Sequence, residues 1–161
     1  MKRPGIMIIN VNLKLPYVNA IQGVWDVKEY ETHVAWETYV EIVTRILPAH
    51  PVTHTRCPDT ELVSIRDLFE KIRDILKKSG PSIGQTQLRG GLTFAFLALT
   101  IMNVVLRPIL MEHKAAAGEG SRGSPDRTAE ENQRLCEQLN KTYAVLIDFC
   151  NILTQAARVE L

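Results

Sequence analysis

One stretch constrains this chain more than any other: LTFAFLALTIMNVVLRPILM, residues 92–111. It is the most apolar run and carries no charged residue before Arg107. A membrane-spanning helix needs about 20 mostly apolar residues. The clean part, residues 92–106, has 15, and Arg107-Pro108 then interrupts it. Thr93, Thr100 and Asn103 lie inside it. That length suits a buried helix of a soluble domain better than a membrane span. A helix apolar on all sides belongs in the middle of a bundle. The expectation is a rod hidden from water by its neighbours.

The rest of the chain can supply those neighbours. With 161 residues there is enough sequence for one domain with a sizeable core. The net charge of +1 gives no electrostatic case for nucleic acid or an anionic membrane. Cys57, Cys136 and Cys150 are an odd number without framework spacing, which fits reduced thiols and a cytoplasmic location. The N-terminal apolar residues are cut by Asn10, Asn12 and Lys14, so no targeting segment is expected.

Ile9, Val11, Leu13 and Leu15 alternate with polar residues, the period of an extended strand. No second strong strand pattern accompanies it. It is expected to be an arm that adds to a partner's sheet edge or lays its apolar stripe on its own domain. Asp26 and Glu29 have capping-box spacing and place the first helix start near residue 26. Trp36, Val40, Val43 and Leu47 then mark its apolar face, with Glu41 and Arg45 paired alongside. Pro48 stops it. Leu62, Ile65, Phe69, Ile72 and Leu76 form the seam of a second helix that ends at Gly80-Pro81. The apolar run follows, with a kink or stop expected at Pro108. Residues 115–127 are a Gly- and Ser-rich loop. Thr128 and Glu131 form a capping box for the last helix, whose stripe is Leu135, Leu139, Tyr143, Leu146, Cys150, Leu153 and Ala157.

These patterns predict an all-α protein, an up-and-down four-helix bundle with an extended N-terminal arm. The arm spans 1–25 and the helices span 26–47, 60–79, 92–114 and 128–159.

Catalytic chemistry finds little support. His50, His54 and Cys57 are spaced like zinc ligands, but no second compact pair completes four ligands, and a polar loop is the simpler account. No Glu-x-x-His occurs for a di-iron bundle, and no serine sits in a nucleophile elbow. Gly90-Gly91 before a helix could bare N–H groups to an anion, although a hinge explains them as well. The expectation is no catalytic set, no metal and no cofactor.

The polar residues expected near the core are Glu37, Glu41, Arg45, Arg73, Asn103 and Arg107. A buried arginine must meet a carboxylate or reach water, so Glu37 or Glu41 is the partner expected for Arg107. The same arginines, Arg45, Arg73 and Arg107, could instead converge on a phosphorylated small molecule.

Three segments, WETYVEIVTRI (36–46), SIRDLFEKIRDILKKSGP (64–81) and ALTIMNVVLRP (98–108), together resemble a family of small helical proteins of actinobacteria and cyanobacteria. The final helix, LNKTYAVLIDFCNILTQAARV (139–159), is similar as well. The likeness covers about two thirds of the chain and leaves out the arm and both loops. Where the family has Lys-Trp-His after the Arg-Pro, this chain has Met-Glu-His (111–113). The family carries no activity or catalytic residue to transfer. Its setting near bacterial conflict and signalling modules implies an adaptor or effector-associated part. The resulting expectation is a non-enzymatic protein-interaction module, binding a protein partner or itself. The alternatives are a bundle that releases residues 92–111 into lipid, and the phosphorylated-ligand sensor.

Overall fold

The structure, a computed structural model, describes residues 7–16, 19–46, 58–80, 91–113 and 127–158. Those residues are 75% helical, in four helices with a small antiparallel sheet. Strand β1 is Met7–Leu13 and β2 is Ile21–Val27. Helix α1 is Glu29–Arg45 and α2 is Pro58–Ser79. Helix α3 is Phe94–Glu112 and α4 is Ala129–Ala157. The hairpin overturns the expected four-helix bundle with an arm. The arm does not stand alone, and the first helix starts later than Asp26 because residues 21–27 are strand.

The second strand lacks a clear sequence pattern for a physical reason. The register pairs Ile9 with Trp25, Val11 with Gly23 and Leu13 with Ile21 on the inward face. The apolar alternation of β2 is therefore broken by Gly23 at its centre. That gap is filled from far along the chain. A Cβ at position 23 would lie 3.1 Å from Leu92 Cγ. The Leu92 N–H donates to Val24 O at 3.0 Å, so residues just before α3 run along the free edge of β2. Ile9, Val11 and Leu13 are buried and Leu15 packs against the core, so the stripe lies on its own domain.

Helix α4 stands at the centre. It touches α1, α2, α3 and β1, and its pairing with α1 is the most extensive between helices. Its expected stripe is buried from Leu135 to Leu153, with Ala157 half-buried. Thr128 caps it, Oγ1 accepting from the Glu131 N–H at 3.1 Å. In α2, Leu62, Ile65 and Ile72 are buried, and Phe69 and Leu76 pack at the core margin. Gly80 follows at φ +75°, the left-handed stop that glycine adopts without a Cβ penalty.

Helix α3 corrects the expectation of a hidden rod. Phe94, Leu97, Ile101, Val105 and Ile109 are buried, but Leu99, Asn103, Arg107 and Met111 are exposed. Those four recur every fourth residue and form a single solvent-facing strip. The helix is therefore two-sided, and half of its most apolar window is buried. It also runs through Pro108 without stopping. Residues Ile101–Leu106 form a π turn, and the Arg107 N–H donates to Met102 O, five residues back. In α register the proline ring would crowd the carbonyl four residues before it. A widened turn ahead of Pro108 removes that conflict.

Candidate interaction surface

Helix α1 joins the hairpin to the helices through one buried carboxylate. Glu31 is 1% exposed and accepts three hydrogen bonds. The donors are Trp25 Nε1 at 3.0 Å, the Lys28 N–H at 3.0 Å and the Phe94 N–H at 2.7 Å. The Lys28 bond is the reverse half of a capping box; a lysine side chain has no acceptor to supply the other half. The Phe94 bond places the Glu31 charge at the N-terminus of α3, where Thr93 caps the Phe96 N–H at 3.1 Å. An anion does sit at the start of this helix, and it is the protein's own. A second buried carboxylate, Glu61 on α2, accepts from the Tyr143 hydroxyl of α4. Beside it, Arg127 pairs with Asp59.

The outer face of α1 is the opposite case. Trp36 is 45% exposed and Val40 36%. They lie one turn apart, and the Trp36 ring stacks on Tyr39 with centroids 5.7 Å apart. The expected apolar stripe is therefore out of phase with the core. The residues that α1 buries are Glu31, Val34, Ala35, Thr38 and Ile42. Two of them are polar, and pattern reading places polar residues outside. Leu47, the last member of the expected stripe, lies outside the described residues.

Trp36 and Val40 border an open groove of about 280 Å³ between α1 and α2. The α1 wall adds Glu37 and Glu41. The α2 wall is Lys71, Asp74, Ile75 and Lys78. Glu41 is bound by Arg45 at 3.1 Å, the pair that the i, i+4 spacing predicts. Glu37, Lys71, Asp74 and Lys78 make no ion pair among the described residues. The two walls thus carry opposite charge that does not bridge the groove.

The expected polar network does not assemble. Asn103 and Arg107 are exposed, and the Arg107 guanidinium lies 5.7 Å over the Phe69 ring, with neither Glu37 nor Glu41 as partner. Phe69 and Lys71 stand about 200° apart around α2, at about 100° per residue. Arg107 therefore meets α2 on one side, while Glu41 and its partner Arg45 face the other. Arg73 is exposed on α2. Four residues past Phe69, it shares the side of α2 that Arg107 meets, whereas Arg45 is tied to Glu41 on the other side, so the three arginines do not share one face. His50, His54 and Cys57 lie outside the described residues. Burial pushes the Cys150 thiol up to about 12 and raises Cys136 as well, so neither is a ready thiolate at neutral pH.

No family model, curated protein or solved structure matches this chain.

The exposure of Trp36 and Val40 runs against the apolar periodicity of α1. The available signal was Glu37 and Glu41 beside them, with Thr38 and Ile42 on the far side of the helix.

Proposed function

We propose that this chain is a non-enzymatic, cytoplasmic protein-interaction module that contacts its partner through the outer face of α1 and the groove beside α2. The observation that carries this is Trp36. An aromatic side chain that remains half exposed, next to an apolar neighbour and a groove with unmatched charges, is the composition of an interface anchor. The resemblance of residues 36–46, 64–81 and 98–108 to proteins found near bacterial conflict modules fits an adaptor of a defence system.

The experiment is affinity capture from cell extract with wild type and a W36A/V40S double variant, both shown to be folded by circular dichroism. Proteins held by wild type should be lost by the variant. An identical retained set would defeat the reading.

A second reading has one observation behind it. Residues 94–112 form a helix long and apolar enough to cross a membrane, with a mean hydropathy of 2.0 over its most apolar 18 residues, and Leu99 and Met111 are exposed. Asn103 and Arg107 share that exposed strip, and polar groups at bilayer depth are costly. Flotation with liposomes discriminates: protein remaining at the bottom of the gradient removes lipid contact. The phosphorylated-ligand reading loses support because Arg45 is held by Glu41 on the far side of α2 from Arg107; a nucleotide panel in thermal shift checks it, since binding must raise stability.

A further inference from the structure

The groove between α1 and α2 has a property that a generic partner would not require. Its α1 wall is acidic on balance, through Glu37 and through Glu41, whose charge Arg45 partly offsets, and its α2 wall is basic on balance, through Lys71 and Lys78 around Asp74. A two-fold contact is isologous, so each patch must contain its own complement. A patch with one acidic and one basic wall meets that condition. Turned about a two-fold axis, the acidic wall of one copy faces the basic wall of the other, twice over. The exposed apolar residues, Trp36 and Val40, stand on the α1 wall, and the largely buried Ile75 forms the apolar floor beneath them. The formal net charge of only +1 leaves little repulsion between copies.

We infer that the partner at this surface is a second copy of the same chain, paired through α1 and α2 so that Glu37 and Glu41 face Lys71 and Lys78 of the other copy. This rests on the interaction reading above and makes it specific. Trp36 of each copy seats over the groove of the other and stands at the centre of the contact. Large aromatic anchors of this kind dominate interface energies. The charged walls set the orientation and reject a parallel arrangement, in which acidic walls would face each other.

The test uses the purified full chain in light scattering and sedimentation across a concentration series. Wild type should show a monomer–dimer equilibrium that weakens as salt rises, because the walls are solvent-exposed. W36A should raise the dimer dissociation constant about tenfold or more. E37K/E41K and K71E/K78E should each be monomeric, since each makes both walls the same sign. Mixed together they should restore the dimer, because each supplies the wall the other lacks. The substitutions are on the surface, and thermal melts confirm that the variants are folded. A wild type that stays monomeric at every concentration overturns the inference. So does a dimer indifferent to W36A and to both charge reversals. A monomeric wild type that still loses captured proteins on W36A/V40S would end self-pairing while leaving the interaction reading intact.

Discussion

Helix α1 has two faces that invert ordinary expectation. Toward the core it presents a carboxylate, Glu31, and a hydroxyl, Thr38. Toward solvent it presents Trp36 and Val40. The two faces obey different requirements. The inner face must satisfy the backbone where the hairpin meets α3, and a carboxylate can accept several donors at once. The outer face has no such duty, and its apolar residues are free to be covered by another molecule. A polar residue inside and an apolar one outside are therefore not errors of packing. Glu31 marks where the fold is joined, and Trp36 marks the surface proposed for a partner.

The contrast can be broken most severely at Glu31. Replacing Glu31 with Ala strands two buried donors, Trp25 Nε1 and the Phe94 N–H, and frees the part-buried Lys28 N–H. The expected loss is about 2–6 kcal/mol in urea unfolding, at about 1–3 kcal/mol for each buried donor left unsatisfied. A loss under about 1 kcal/mol, the net worth of an ordinary hydrogen bond, would show that Glu31 does not hold the hairpin to α3.

Gly23→Val tests the same joint from the strand side. By pattern it should improve β2, because valine favours strands. With Leu92 Cγ only 3.1 Å from the new Cβ, it should instead destabilise. A cost of about 1–3 kcal/mol is typical of overpacking. A more stable variant would mean that Leu92 yields easily.

Thr38 sharpens the comparison, since it is the inner polar group without a role. Its Oγ1 is buried and has no hydrogen-bond partner among the described residues. Thr38→Val should therefore raise stability by about 1 kcal/mol, as expected when an unsatisfied hydroxyl is removed. If Thr38→Val destabilises instead, the hydroxyl has a partner after all.

The dryness of the core on the α4 side has its own pH signature. Burial holds the Cys150 thiol up at about 12, above its ordinary value of 9.0. The unfolded chain ionises first, so the stability from keeping this thiol neutral is complete below pH 9 and is lost as pH rises toward 12. Unfolding free energy should fall by about 1 kcal/mol by about pH 10 from this group. Cys150→Ala should flatten that slope, and an unchanged slope would assign it to other groups.

The smallest expected stability change belongs to the outer face. Trp36→Ala should shift unfolding by less than about 1 kcal/mol, the usual scale for an exposed site, while removing the contact proposed for it. A large loss of stability would place Trp36 among the supports of the fold and weaken the comparison.

Legibility in the sequence followed the length and regularity of each pattern. Along α4, Leu135 to Leu153 stepped by three and four residues and are buried as that spacing demands. The inward side of β1 was equally plain, and so was the Glu41–Arg45 pair. What failed was β2, whose central inward residue is a glycine, and α1, whose buried positions include Glu31 and Thr38. The strip of Leu99, Asn103, Arg107 and Met111 on α3 was visible as a four-residue repeat. It was overshadowed by the apolar weight of the run around it.

The sequence by itself determined where the long helices lie and which stripes of α2, α4 and β1 turn inward, because periodic burial is a local property of a single element. Only the tertiary structure decided that residues 21–27 pair with β1, that Leu92 fills the gap at Gly23, and that Glu31 gathers donors from β2, its own helix start and α3. Those contacts join residues far apart in the chain, as Gly23 and Leu92 are. Their energy comes from filling a shared space and satisfying shared hydrogen bonds, which no single segment carries alone.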